Sequence, residues 1–427
     1  MIESFPRLHQ DMQTITLENG LRICYFPNPA FSKTFAMLAV NFGSVDASFT
    51  LDGVRCDPPA GVAHFLEHKM FEDEDGNALQ KFGATGASPN AFTSHTMTAY
   101  YFSCTTGFEQ NLEILLRFVY TPYFTDKNVE KEKGIIAQEI RMREDMPDWM
   151  AYVGLFEGLY ASHPVRTSIA GSVGSIARIT PETLYRCHEA FYSPDNMVLT
   201  VCGSADFDKI VRMARALSPG ASGRSVGRQY GARRARAAQA EIVRYMEVSR
   251  PTFLLGFKDA PLAAGESRLH RTLTGELAAR ILCGTTSPLF ARLYNARLVT
   301  RRFEASYTVL PEGAAAYCGG ESRDPRAVRV QMEEEVRRLA EAGIEPALFD
   351  RMKKACYGMN VRVLDQPDEI CRAQTETYFG GEDFLSFPDV FDSVTAEDVQ
   401  ALFVRWAQPG CTTQSIILPR ADQQTTV

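Results

Sequence analysis

The sequence predicts an α+β protein built from two similar modules, each a mainly antiparallel sheet packed with helices. Three observations lead there. At 427 residues the chain is too long for one ordinary hydrophobic core. Residues 219–238 are dominated by Gly, Ser, Ala and Arg and are nearly empty of large apolar side chains, which marks a linker. The order of strand-like and helix-like segments before that linker repeats after it. The expected division is therefore a first module at 1–218, a linker at 219–238 and a second module at 239–427.

The first module opens with the strand-like runs TITLENGLRICYF and TFAMLAVNFGSV, rich in β-branched and aromatic residues. AGVAHFLEHKMFE follows with helical periodicity, and Pro59 stands near its start. TAYYFSCTT reads as a strand, and LTVCGS closes the module. The second module opens with AEIVRYMEV and TFLLGFK. A long helix, RLHRTLTGELAARILCG, comes next, then strands in RRFEASYTVL and AAYCGGES, and QSIILP closes it. The repeat lies in the order of elements, not in residue identity.

Charge and composition narrow the function. The net charge of −7 offers no basic excess for a phosphate-binding surface, so nucleic acid is not an expected partner. No stretch reaches the roughly 20 apolar residues that a bilayer span needs, and the N-terminus does not read as a signal peptide. Membrane partners are not expected either. The ten cysteines are scattered, with no C-x-x-C pair, and most lie in apolar runs. They read as free thiols in a reducing compartment, ahead of the alternatives of a disulfide framework or a cysteine metal site, so a cytoplasmic location is expected.

Histidine is rare, with seven in the chain, yet His64 and His68 stand one helical turn apart with Glu67 beside the second. At about 100° per residue the two histidines lie about 40° apart, and Glu67 falls about 60° to the other side of His64. All three point into one sector. Two imidazoles so placed can both direct a nitrogen at one ion about 2.0–2.1 Å away, the distance zinc requires. H-x-x-E-H is itself a recognised zinc-site spacing.

A catalytic zinc site usually has three protein ligands and an open position. The helical stretch FTDKNVEKEKGIIAQEIRMREDM offers Glu132 and Glu139, seven residues and only about 20° apart. Ile135 and Met142 flank them on one side, Val129 and Ile136 on the other, so both carboxylates fall in the apolar stripe that a helix buries. A buried carboxylate needs a cation, a donor or a raised pKa. Glu139 is assigned as the third ligand and Glu132 as support, accepting a ring N–H from a liganding histidine. The alternative is that both carboxylates reach solvent at the stripe's edge.

With these residues placed, the chain resembles the pitrilysin/insulinase family of zinc metallopeptidases. It is most like the short two-module branch of mitochondrial processing peptidases and paired bacterial peptidase subunits. NFGSVDASF, GVAHFLEHKMFED, GASPNAFTSHTMTAYYFSC, VEKEKGIIAQEI and HEAFYSPDNMVLTVCG carry the likeness. It implies zinc on His64, His68 and Glu139, Glu67 as general base, Glu132 as a supporting catalytic residue, and a second module without a metal site. It also implies a substrate peptide added as an edge strand, with Asn90 and Ala91 at the binding segment. The family's Arg and Tyr, seven residues apart, align with Tyr294 and Arg301 here, in reversed order. That reversal leads to the expectation of a heterodimer whose homologous, metal-free subunit supplies the Arg/Tyr contacts. The expected function is zinc-dependent endopeptidase activity on extended peptides. A non-catalytic scaffold subunit, and an enzyme for one dedicated precursor peptide, are the alternatives.

Overall fold

The computed structural model describes residues 1–74 and 76–420. The chain forms two compact units. Among the described residues, unit one comprises 1–140, 168–229 and 360–386, and unit two comprises 141–167, 230–359 and 387–420. These are not the contiguous stretches 1–218 and 239–427. Amphipathic helices cause the difference. Helix Pro147–Leu159, from the first half, packs on the second sheet, and helix Pro367–Phe379, from the second half, packs on the first. Periodicity shows that such a helix must bury a face, but not on which sheet.

In unit one, strands β1 (Ile2–Phe5), β2 (Gln10–Thr16), β3 (Arg22–Pro27), β4 (Thr34–Val40), β5 (Ser88–Thr93), β6 (Thr98–Cys104) and β7 (Met197–Gly203) form one sheet, in the order β1-β2-β3-β7-β4-β6-β5. Only the β3–β7 pair is parallel. Every residue of β4 and β7 is buried. TFAMLAV and MVLTVCG are accordingly near-continuous apolar runs, not alternating ones, because helices cover this part of the sheet. β5 pairs only with β6 and leaves its outer edge bare among the described residues.

Helix α1 (Val62–Met70) starts three residues after Pro59, whose carbonyl accepts the Val62 N–H at 3.2 Å. Gly61 precedes it at φ 93°, and a Cβ there would lie 2.4 Å from the Ala170 carbonyl oxygen, so only glycine fits. Helix α2 (Asp126–Glu144) carries the two glutamates.

Helix Pro181–Phe191 holds His188, whose Nε2 donates to the Val119 carbonyl at 3.2 Å. Burial pushes the imidazole pKa down to about 4, outweighing that bond, which acts in the opposite sense. The unfolded chain takes up this proton near pH 6.5 and the folded one only near 4. Stability is therefore lost as pH falls through that window, by at most about 3 kcal/mol from this group. His188→Gln is expected to shrink the drop in Tm between pH 7 and 4.5, measured by calorimetry on both proteins.

Unit two has strands β8 (Glu241–Met246), β9 (Thr252–Asp259), β10 (Val299–Leu310), β11 (Gly313–Ser322) and β12 (Thr412–Pro419), in the order β8-β12-β9-β11-β10. The sole parallel pair is β8–β12. This repeats, strand for strand, the order β3-β7-β4-β6-β5 of unit one, so the repeat of elements is a repeat of topology. Helix α3 (Arg268–Cys283) packs on β10, with Gly275 so close to the Tyr307 ring that a Cβ would lie 2.1 Å from it. Helix α4 (Pro288–Asn295) leads into β10. All ten cysteines are buried thiols outside any disulfide. No helix among the described residues is long and apolar enough to cross a membrane.

Candidate metal centre

α1 packs on β5 and β6, which fixes the direction of its functional face. Val62, Ala63, Phe65, Leu66 and Met70 enter the core, and His64, Glu67 and His68 occupy the sector the spacing predicted. The imidazole ring centres of His64 and His68 are 4.6 Å apart. α2 brings Glu139 to both: its Oε2 lies 3.6 Å from His64 Nε2 and 3.5 Å from His68 Nε2. Among the described residues, these three form the cluster able to hold a metal ion.

The geometry fits zinc. Ligand atoms about 2.0–2.1 Å from a tetrahedral ion are about 3.3 Å from one another, close to the separations seen here. The charges fit as well. Glu67 and Glu132 are buried and Glu139 is partly so, and three carboxylates gathered around two imidazoles call for a cation. Without a metal, burial alone would lower the His68 pKa. Its bond to Glu132 and the charges of Glu67, Glu132 and Glu139 outweigh burial and raise it.

Glu132 Oε1 lies 3.0 Å from His68 Nδ1. With the Nδ1 proton donated to this carboxylate, the Nε2 lone pair is left facing Glu139. Glu67 accepts the Thr93 hydroxyl at 2.6 Å through Oε2, and its charge acts on His68. Thr93 was not singled out from the sequence, although its place two residues beyond Ala91 on one strand, and so on the same face, was a usable signal. Asn90 and Ala91 lie on β5 opposite Tyr101 and Tyr100 of β6, at the sheet edge.

One expectation needs correction. Ile135 and Met142 do not flank the glutamates in a buried stripe; they are 46% and 58% exposed. The buried stripe of α2 runs through Val129, Glu132, Ile136, Ala137 and Ile140. Glu139 therefore sits at its edge, and the helix face beyond it is open. A site that must admit a substrate cannot be sealed on every side, and hydrophobic periodicity does not register that requirement. The alternative, that both carboxylates simply reach solvent, does not hold: Glu132 is 6% exposed and both are turned to the imidazoles.

Comparison with known proteins agrees with this geometry. Residues 50–172 match the family model described as insulinase (peptidase family M16), and residues 178–356 match the one described as peptidase M16 inactive domain. The chain is 36% identical over 402 residues to YmfH of Bacillus subtilis, an uncharacterized zinc protease, covering 93% of this chain and 94% of that one. It superimposes on the crystal structure of an M16-like peptidase from Alicyclobacillus acidocaldarius with a TM-score of 0.93 and 34% identity, covering 98% of this chain and all of the other. A protease from Helicobacter pylori shares the fold at a TM-score of 0.79 and 16% identity, covering 96% and 99%. With a His-His-Glu cluster able to hold a metal ion on two helices of its first unit, and with both family models and a full-length relative matching, the chain belongs to the pitrilysin/insulinase family of zinc peptidases, family M16.

Proposed function

We propose that this peptidase is a zinc endopeptidase that hydrolyses peptides bound in extended form along β5, and that it works as the catalytic subunit of a heterodimer. The observation that carries the hydrolytic reading is the convergence of His64, His68 and Glu139 with Glu67 poised beside them, its carboxylate anchored by Thr93. His64, His68 and Glu139 would hold the zinc, and the ion bound there would supply Lewis acidity toward a water and a peptide carbonyl. Glu67 is placed to accept a proton from the attacking water as the water oxygen adds to the scissile carbon. It returns the proton to the amine nitrogen as the C–N bond breaks.

The substrate's backbone hydrogen-bonds to the bare outer edge of β5 near Asn90 and Ala91. Thr93 connects the two functions, because it belongs to the strand that docks substrate and also orients the base. A hydrogen bond to a charged group contributes about 1.5–3 kcal/mol. Thr93→Val is expected to lower kcat about tenfold with KM and bound zinc little changed, while Thr93→Ser restores it. Steady-state kinetics with metal analysis check this.

The heterodimer reading is supported by unit two. Its topology matches unit one, yet α3 carries His270 alone in place of a histidine pair. Arg301 sits 6.0 Å over the Tyr294 ring, so the two residues that align with the family's Arg/Tyr pair are close in space but stand in reversed order along the chain. A homologous, metal-free partner would supply the contacts that hold the substrate backbone. The ten buried thiols support a cytoplasmic location.

Incubating the purified chain with a mixed peptide library, alone and with proteins that co-purify with it, tests the whole reading. Internal cleavage that needs the partner is the expected result. Cleavage by the chain alone would remove the heterodimer. Zinc-loaded protein that cleaves nothing in either condition would favour a scaffold subunit or an enzyme for one dedicated precursor.

A further inference from the structure

The junction of α4 and β10 gathers positive charge around a cavity whose lining holds no acidic side chain. A cavity of about 670 Å³ is lined there by Arg250, Tyr294, Arg297, Thr300, Arg301 and Arg323 among others, none of them acidic. The chain as a whole carries −7, so the cluster does not reflect its composition. Several other arginines of unit two are paired with acids, Arg292 and Arg338 with Glu335 and Arg326 with Glu241. In the cavity, Arg323 donates to the Ala296 carbonyl at 3.0 Å and Arg301 lies over the Tyr294 ring. Each guanidinium has five N–H donors, so most of this donor capacity points to no protein acceptor. Four like charges lining one cavity repel one another unless an anion joins them.

Arg297 adds a separate sign. The Arg297 N–H bonds to the Tyr294 carbonyl and the Leu298 N–H to the Leu293 carbonyl, both at 2.9 Å. This is the Schellman ending of a helix, whose left-handed position glycine normally fills. Here arginine occupies it at φ 54°. Arginine at this left-handed position carries a backbone cost that glycine would avoid.

The third observation is an edge. β10 pairs only with β11 among the described residues, and its register breaks between Val299 and Phe303, beside the cavity. In the repeated topology β10 holds the place that β5 holds in unit one. Backbone donors and acceptors for an added strand therefore lie next to guanidiniums suited to carboxylates.

We propose that this cavity binds an extended acidic peptide segment, its backbone on the outer edge of β10 and its carboxylates on Arg250, Arg297, Arg301 and Arg323. The site does not depend on the hydrolytic reading, so it is tested on the full chain with metal removed by chelation. The probe is fluorescein-labelled hexaglutamate, compared with hexaglutamine by fluorescence anisotropy. Hexaglutamate is expected to bind at least tenfold more tightly, with affinity falling as salt rises. Arg301→Gln and Arg297→Gly should each weaken it at least fivefold. Arg297→Gly should do so with Tm unchanged or raised, since glycine relieves the strain. Equal binding of the two peptides, or binding untouched by both substitutions, overturns the proposal. So does tighter binding to phosphatidylserine vesicles or inorganic phosphate that the same substitutions abolish, because the site would then serve phosphate groups and not peptide.

Discussion

Glu67→Gln is expected to keep one zinc per chain and to lower kcat by about 10²–10⁴, the range a positioned general base contributes. The substitution is nearly isosteric, and the amide oxygen of glutamine can still accept the Thr93 hydroxyl that Glu67 Oε2 accepts. Packing of this buried position is therefore preserved. What disappears is a group able to hold a proton between water and leaving amine. Because the loss falls on the chemical step, KM should change little. Steady-state kinetics on a cleavable peptide, with elemental analysis of the same sample, reads both quantities. Turnover at the native rate would remove Glu67 from its role and leave the zinc assignment standing.

The second large effect is on the metal itself. His68→Ala and Glu139→Ala each delete one of the three atoms proposed as ligands, and each leaves the remaining carboxylates closer to uncompensated burial. Zinc content is expected to fall well below one per chain in both, with activity lost in parallel. Glu132→Gln is the informative contrast. It touches His68 Nδ1 and none of the ligand atoms, so zinc affinity should fall only about 10–100-fold, as for other groups that orient a liganding histidine. Competition with a chromophoric chelator orders the three variants. Full zinc retention in His68→Ala and Glu139→Ala would dissolve the proposed centre. A loss in Glu132→Gln as large as in Glu139→Ala would make Glu132 a ligand and not a support.

Much of this centre was legible in the amino-acid order, because its chemistry is local. His64, Glu67 and His68 sit on one helical turn, and a turn fixes their mutual directions wherever the helix lies. The seven-residue spacing of Glu132 and Glu139 is local in the same sense. So is the alternation of strand and helix segments that revealed two modules of one kind, later matched strand for strand in sheet order.

Tertiary structure alone decided what depends on distant partners. That α1 and α2 meet at 3.5–3.6 Å follows from how both helices pack in unit one, not from any spacing in the chain. The Thr93 hydroxyl reaches Glu67 because α1 lies against β5, a contact across 26 residues. The exchange of helices between the two sheets, and the exposure of Ile135 and Met142, escaped the sequence for a common reason. An apolar face records that something will cover it, and only the folded chain names the cover or leaves an opening beside it.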